Sequence, residues 1–300
     1  MKTLYHHRYE LIAKAPLNAR SERRVIAGAL LRCNDGVGCV QPWPELGEPP
    51  LEYHLQELAA GRTTELTARA LKCAEVDGAA RRVGASLFQH LQIPPSHATC
   101  VEMPTLETLA ALAAEGFTTA KLKINAAALE TMSHWEQVPL RLRLDANAAM
   151  SSGDYLQAML KLRKEVREAI DFVEDPCPHD PVLWIMLKRK TGVALARDRG
   201  LGTGGYAVRV WKPAAMKPFK WGGRLVITSN MDHAIGQMYA AWEAARRRAD
   251  ETCGVLTHGL FEPDAFFATM SSEGPQLHSP SGTGLGFDAQ LEALPWKRCV

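Results

Sequence analysis

Three carboxylates stand at the ends of short apolar runs and are the residues of this chain best suited to chemistry. They are Asp145 in RLRLDANA, Glu174 in DFVEDP and Asp198 in VALARD. Acidic groups at the ends of buried strands are unfavourable unless a positive charge lies between them. Three hard oxygen ligands suit Mg²⁺, with Mn²⁺ as a substitute. Because Lys123 precedes the set and Lys212 follows it, the five residues predict a metal-assisted proton-abstraction site.

A Lys-x-Lys pair supplies a candidate base. Lys121 and Lys123 are two positions apart, so on a strand they point to the same side. The charge of one is then expected to lower the pKa of the other and to favour a neutral amine. Taken alone, the pair is more typical of a solvated strand edge, and the acids alone are typical of helix caps and turns. The prediction therefore depends on the order of all five residues.

The elements that position these residues follow residue 95, where short apolar runs alternate with helix-like stretches. Eight runs are candidate strands: ATCVEM, AKLKI, RLRLDA, DFVED, VALARD, AVRVWKP, RLVITS and GVLTHG. This alternation predicts a parallel (β/α) barrel, in which the carboxyl ends of the strands meet at one mouth. The acids and lysines lie at those ends, so positions remote in sequence can form one site.

The first 95 residues have a different pattern. Strand-like segments cover residues 3–13 and 25–40, and the second is interrupted by Asn34-Asp35-Gly36, a hairpin signal. Residues 51–91 show apolar positions at helical spacing. This region is therefore expected to form an α+β unit.

Composition favours a small-molecule partner. With 35 Lys and Arg against 33 Asp and Glu, the net charge is +2, and no basic run with interleaved aromatic residues argues for nucleic-acid binding. The seven cysteines lack CxxC spacing, and no leader-like or membrane-length apolar stretch is present. We expect a cytoplasmic protein that binds neither nucleic acid nor membrane, while its state as monomer or homo-oligomer stays open.

The order of seven motifs resembles the enolase superfamily. The motifs are EGFTTAKLKI, RLDANAAM, FVEDPCP, ARD, VWKP, VITSNMDHAIGQ and GTGLGFD. Within that superfamily the chain is similar to the muconate-lactonising subgroup, and most of all to the o-succinylbenzoate synthase family. The resemblance implies an α/β fold with a modified (β/α) barrel over residues 96–271. It also implies an α+β capping domain over residues 1–95, to which residues 272–300 return.

The same resemblance implies a chemistry. A Mg²⁺ ion on Asp145, Glu174 and Asp198 would meet the charge of an enediolate formed from a carboxylate substrate. The activity implied is that of a lyase, which dehydrates a hydroxycyclohexadiene carboxylate to o-succinylbenzoate in menaquinone biosynthesis.

The family resemblance also assigns roles to the lysines. Lys123 abstracts the proton and returns it to the departing hydroxyl, and Lys121 tunes Lys123 and contacts the substrate carboxylate. Lys212 remains charged and stabilises the enediolate.

Five further residues are candidates for supporting roles. By resemblance, Asn147 and Asp175 orient the metal ligands. Arg143 either binds a substrate carboxylate or forms an ion pair inside the barrel. Ser229 and Asn230 either donate hydrogen bonds to a second acid of the substrate or form a simple turn.

The chain departs from the family in two ways. Arg199 follows Asp198, where relatives usually carry a second acid. Fourteen positions separate Asp198 from Lys212 and seventeen separate Lys212 from Ser229, which is short for two helical crossovers. We therefore expect the fifth and sixth helices to be shortened and the barrel to be partly open on that side.

Two alternative functions stay open at this point. An N-acylamino acid racemase or dipeptide epimerase would use Lys123 and Lys212 as opposed acid/bases. Alternatively, Arg199 and the short connections are compatible with a non-catalytic small-molecule binding protein on an eroded barrel.

Overall fold

A computed structural model describes residues 3–18, 21–200, 202–249 and 251–299. The chain begins with three antiparallel strands of the first sheet, β1 (Leu4–Ile12), β2 (Val25–Cys33) and β3 (Gly36–Val40). The turn between β2 and β3 contains Asn34, whose φ of 55° is left-handed. Asparagine tolerates that conformation better than most residues, so the hairpin predicted at this position is confirmed.

Two helices cover one face of this sheet, α1 (Leu51–Ala59) and α2 (Glu65–Arg82). The Thr64 hydroxyl caps α2 by accepting the amide of Thr67. The helix lies so close to β3 that a Cβ at Gly38 would stand 1.9 Å from the carbonyl oxygen of Ala70. Glycine is therefore required there, and the close approach holds the α+β unit together.

The barrel consists of seven parallel strands in consecutive order. They are β4 (Ala98–Cys100), β5 (Thr119–Lys123), β6 (Arg141–Asp145), β7 (Ile170–Glu174), β8 (Leu195–Arg197), β9 (Val208–Trp211) and β10 (Arg224–Ile227). The surrounding helices are α3 (Leu106–Ala114), α4 (Ala126–Ser133), α5 (Ser152–Lys161), α6 (Lys164–Ala169), α7 (Pro181–Thr191) and α8 (Ala234–Arg246). Because all seven strands are parallel, their carboxyl ends lie on one side of the sheet.

The eighth strand predicted from GVLTHG does not form. Instead, Cys253 makes a single parallel bridge to Ser96 before β4, and Gly254 makes one to Thr228 after β10. The ladder stops because the Ser96 hydroxyl accepts the next two amides, those of Val255 and Leu256. A short segment of bridges thus joins the two edge strands in place of a full strand.

The prediction of shortened fifth and sixth helices is confirmed. Among the described residues, no helix occurs between β8 and β9 or between β9 and β10. The strands nevertheless stay paired, with Ala196 opposite Val208 and Val210 opposite Val226. The expectation that the barrel is partly open on this side is therefore wrong for the strands, which stay paired. In the described residues, the part that is missing on this side is the outer layer of helices.

The remaining elements lead the chain back to the first sheet. They are β11 (Ser271–Glu273), β12 (Gln276–His278), α9 (Asp288–Glu292) and β13 (Lys297–Arg298). Strand β13 pairs antiparallel with β1, with Arg298 opposite Tyr5. The largest apolar cluster spans both units and includes Leu30 of β2 and Met238 of α8. Within the described residues, no helix combines the length and the apolar character needed to cross a membrane.

His233 joins the two units inside this cluster. Its ring lies 4.7 Å from that of Tyr9 and 4.4 Å from that of Phe266, and its Nδ1 accepts the Ile235 amide at the start of α8. Burial lowers the pKa of His233 to about 3. The folded protein therefore keeps this ring neutral at pH values where the unfolded chain protonates it.

A His233→Gln variant is expected to lose one source of acid sensitivity. Between the unfolded pKa of 6.5 and about 3, the unfolded state binds more protons at His233. The contribution of His233 to the free energy of unfolding thus falls by about 1.4 kcal/mol for each pH unit by which the pH decreases. Urea unfolding from pH 6 to 4 should give a smaller decline for the variant than for the unaltered protein. The neighbouring Asp232, whose pKa burial raises to about 7, acts in the opposite direction in both proteins. Parallel stability curves would contradict the prediction.

Candidate active site

The site is assembled at the carboxyl ends of neighbouring strands. Asp145 ends β6 and lies opposite both Glu174, which ends β7, and Lys123, which ends β5. Asp198 comes directly after Arg197, the last residue of β8, and Lys212 comes directly after β9. The five residues predicted from their order along the chain are therefore brought to one edge of the sheet.

Lys121 lies beneath this edge and bridges two of the acids. Its Nζ is 2.7 Å from Glu174 Oε2 and 3.0 Å from Asp145 Oδ2. Burial alone would lower the pKa of Lys121, but the surrounding carboxylates raise it well above its ordinary value. The structure thus surrounds Lys121 with negative charge and favours its ammonium form.

Lys123 lies nearer the mouth of the barrel than Lys121 does, and it contacts the carboxylate of Asp145. Its Nζ is 2.6 Å from Asp145 Oδ2 and 3.4 Å from Asn147 Oδ1. Burial would raise the pKa of Asp145, but the two lysines beside it bring it well below the ordinary value. Asn147 also donates its side-chain amide to Asp145 Oδ1 at 2.6 Å, from a backbone with φ of 47°. Asn147 therefore fixes the orientation of the first carboxylate.

Asp198 is held by two cations. Lys212 forms an ion pair with Asp198 Oδ2, and the Nε of Arg199 is 3.8 Å from the same oxygen. Burial would raise the pKa of Asp198, but Lys212 and Arg199 lower it.

The carboxylate of Asp175 accepts the backbone amide of Asp198 at 3.4 Å. Burial, together with the nearby negative charges of Asp198 and Glu174, raises the pKa of Asp175 to about 8. Asp175 thus contacts the backbone of Asp198, which is one of the three proposed metal ligands.

The donor set fits a hard divalent cation. Glu174 Oε1 and Asp198 Oδ1 are buried and, within the described part of the chain, have no hydrogen-bond partner. Unpartnered carboxylate oxygens at adjoining strand ends are ligands that Mg²⁺ prefers. However, no group of three acidic, histidine or cysteine side chains in the described ranges already has a metal-binding arrangement. The ammonium groups of Lys121 and Lys212 contact the other oxygens of these two acids, Glu174 Oε2 and Asp198 Oδ2.

A cavity of about 550 Å³, its open mouth included, lies over these residues. Lys121, Lys123, Asp145, Asn147, Asp198 and Lys212 line it, together with Ser229 and Asn230. Its other walls are formed by Leu17, Asn18, Trp43 and Leu46 from the first unit, and by His97, Thr99, Arg199, Thr228, Met231, Gly254 and Thr257 from the barrel. The cavity is thus enclosed by both units.

The polar candidates after β10 line the cavity but also bind other protein groups. The Ser229 hydroxyl is 2.7 Å from that of Thr257. The amide group of Asn230 donates to the Gln41 carbonyl at 3.2 Å, and its Oδ1 accepts from Arg199. A substrate would therefore have to share or replace these hydrogen bonds.

Arg143 does not line the cavity. Its side chain is only 2% exposed, with Nε 3.0 Å from Asp171 Oδ2 and Nη1 2.6 Å from the carbonyl of Thr252. A second acid, Glu251, lies 3.4 Å from Nη2. Of the two alternatives for Arg143, the structure thus supports the interior ion pair.

His97 is a buried polar residue that lines the cavity, and no sequence motif points to it. Its Nδ1 is 3.2 Å from Arg143 Nη1, and burial, followed by the charge of Arg143, lowers its pKa well below the ordinary value. An arginine nitrogen can only donate, so this contact assigns the ring proton to Nε2. A Cβ at Gly254 would stand 2.7 Å from the ring, so glycine is needed beside it. A single histidine ahead of β4 belongs to no motif, so its place in the cavity follows only from the fold.

Replacing Lys121 with methionine is expected to destabilise the fold. The change leaves the buried carboxylates of Asp145 and Glu174 without the cation that contacts both. Breaking a buried ion pair by removing one partner costs about 3 kcal/mol or more. Urea unfolding should show that loss, whereas the matched Lys72→Met variant, which removes an exposed pair with Glu75, should differ by less than about 1 kcal/mol. Equal losses in both variants would contradict the assignment.

Solved structures with the same fold include a member of the enolase superfamily. A member of that superfamily from Roseovarius nubinhibens, in complex with magnesium, is 17% identical, with a TM-score of 0.74 over 100% of this chain and 98% of that chain. The L-Ala-D/L-Glu epimerase of Bacillus subtilis is 18% identical, with a TM-score of 0.71 over 95% of this chain and 98% of that one. At such identities the likeness shows the fold, and the predicted fold class is confirmed.

Sequence comparison identifies the family. A family model described as "O-succinylbenzoate synthase, N-terminal domain" matches residues 4–80. The o-succinylbenzoate synthase of Bdellovibrio bacteriovorus is 31% identical over 316 aligned residues, which cover 96% of each chain. The chain therefore belongs to the o-succinylbenzoate synthase family and is an enzyme of the lyase class.

Proposed function

We propose that this enzyme dehydrates a hydroxycyclohexadiene carboxylate that bears a succinyl arm, giving o-succinylbenzoate in menaquinone biosynthesis. One observation supports the proposal. In this member of the family, Lys123 and Lys212 line one cavity beside the carboxylates of Asp145 and Asp198. Such a set is suited to removing a proton next to a carboxylate, because cations meet the negative charge that develops. The non-catalytic alternative is set aside by the family assignment.

Lys123 is the base in this proposal. Its Nζ in the amine form takes the proton from the carbon next to the substrate carboxylate, and the electron pair moves into an enediolate. The same Nζ then gives the proton to the departing hydroxyl as the C–O bond breaks, so one water leaves and the amine is regenerated. Because the ring becomes aromatic, a single acid/base is enough.

Three acids would hold the metal ion, namely Asp145, Glu174 and Asp198. When bound, Mg²⁺ supplies a Lewis acid that stabilises negative charge on the substrate carboxylate. Lys212 would remain charged and stabilise the enediolate from the far side of the cavity, since β9 is separated from β5 by three strands. Asn147 would keep Asp145 oriented through its 2.6 Å hydrogen bond.

The partner in this proposal is a small carboxylate rather than a macromolecule. Leu17, Trp43 and Leu46 supply apolar walls for the ring, while Ser229 and Asn230 supply polar groups for the second acid of the substrate. We expect the enzyme to work in the cytoplasm without nucleic-acid or membrane partners.

Epimerisation of an amino-acid derivative is the second candidate function. It is favoured by the presence of both Lys123 and Lys212 on the cavity, where they could act as opposed acid/bases. An epimerase would exchange the α-proton of its substrate with solvent from either side, whereas a dedicated dehydratase would not.

The test combines purified enzyme, Mg²⁺ and the hydroxycyclohexadiene carboxylate, with aromatisation followed by ultraviolet absorbance. Turnover that disappears on chelation of the metal is the expected result. A parallel incubation of N-acylamino acids and dipeptides in D₂O distinguishes the two functions. Deuterium at the α-carbon without dehydration would overturn the proposal in favour of the epimerase.

A further inference from the structure

Arg199 connects three parts of the molecule. Its Nη1 forms an ion pair with Glu48, which lies beyond β3 in the first unit. Its Nη2 donates to Asn230 Oδ1 at 3.3 Å, and its Nε lies 3.8 Å from Asp198. One guanidinium group therefore contacts the first unit, the loop after β10 and a proposed metal ligand.

Residues 41–48 form the segment of the first unit that faces these contacts, and we call it the cap segment. Glu48 Oε2 accepts the backbone amide of Trp43 at 2.7 Å, which closes the segment on itself. The indole of Trp43 donates to the Asn230 carbonyl at 2.9 Å, and the Gln41 side chain donates to the Met231 carbonyl at 2.6 Å. The cap segment is thus attached to the barrel by several hydrogen bonds and by one ion pair.

The ion pair also has an electrostatic consequence. Asp198 has two cations beside it, Lys212 and Arg199. A guanidinium group cannot lose its charge, so near a proposed cation site it must be balanced by an acid. Glu48 contacts Nη1 of this group, whereas Asp198 lies near its Nε. The cap segment therefore supplies a second acid for this charge, in addition to Asp198 of the barrel.

We infer that Arg199 and Glu48 form a latch that positions the cap segment over the cavity, and that both are positioning residues for the reaction. The kinetic part of this inference rests on the proposed function, whereas the structural part does not. With the latch intact, Trp43 and Leu46 stay in place as cavity walls. Without it, the hydrogen bonds described here between the cap segment and the barrel are all neutral, and the segment opens more often.

Amide hydrogen exchange of residues 41–48 tests the latch directly. Arg199→Met and Glu48→Gln should each raise exchange in this segment by about tenfold, the amount expected from losing one charge-assisted interaction. Arg199→Lys should restore most of the protection, because it keeps the charge but forms fewer contacts. The matched control Glu57→Gln removes the ion pair between Glu57 of α1 and Arg62, away from the cap segment's contacts with the barrel, and should leave exchange in the cap segment unchanged.

Kinetics separate positioning from general stability. Glu48→Gln should raise KM by about tenfold and change kcat by less than about twofold, since a cavity wall contributes alike to binding substrate and transition state. Exchange in residues 41–48 that stays the same in both latch variants would overturn the inference. If the unaltered enzyme fails to turn over the substrate, the proposed dehydration is wrong, but the exchange comparison remains valid.

Discussion

Replacing Lys123 with methionine is expected to lower kcat for dehydration by about three orders of magnitude. The loss is large because one amine serves both steps, first removing the proton and then returning it to the leaving hydroxyl. Lys121 cannot substitute, since the carboxylates of Asp145 and Glu174 raise its pKa and favour the ammonium form, which cannot accept a proton. The measurement is the initial rate of absorbance change at saturating substrate and Mg²⁺.

Lys161→Met is the matched control for this variant. That side chain is 68% exposed on α5 and makes only a long contact with Glu130, so kcat should remain within about twofold. Circular dichroism and thermal unfolding establish that both variants fold. A Lys123→Met enzyme that keeps more than about a tenth of its turnover would show that another group is the base.

The second large effect concerns Asp145, which contacts three groups of the site at once. Its carboxylate binds Lys121, Lys123 and Asn147. Asp145→Asn keeps the shape of the side chain but removes the negative charge and one hard oxygen ligand. We expect the affinity for Mg²⁺ to fall by about a hundredfold and kcat/KM by at least that factor.

Titration calorimetry with Mg²⁺ measures the first of these effects without any substrate. Asp154→Asn is the control, because Asp154 is an exposed carboxylate in the first turn of α5 and only bonds Ser151. Unchanged metal affinity in the Asp145 variant would exclude Asp145 as a ligand. Loss of activity with normal metal binding would assign it a role in positioning Lys123.

Much of the site could be predicted because it depends on local sequence and one topological rule. Each acid ends an apolar run, and parallel strands bring such ends to one edge, so Asp145 and Glu174 become neighbours. The same reasoning placed Lys123 beside them. The short intervals around Lys212 correctly predicted that two helices are missing, because a helical crossover has a minimum length.

Other features could not be predicted, since they depend on partners that are distant in sequence. Nothing near Arg143 indicates that Asp171 and Glu251 neutralise it. Nothing near Arg199 in sequence indicates that Glu48 lies beside it either. The eighth strand failed for a similar reason, because the hydroxyl of Ser96 takes the amides that the ladder would have used.

The pairing of β13 with β1 has a consequence for how the chain acquires its fold. His6 Nδ1 lies 3.2 Å from Cys299 Sγ across 293 positions of sequence, so the first sheet includes contacts of extreme contact order. During synthesis, the edge of β1 remains unpaired until the whole barrel has been made, and such edges promote association with other chains. Completion of this sheet is therefore a late folding step, and the newly made chain needs protection at that edge until it occurs.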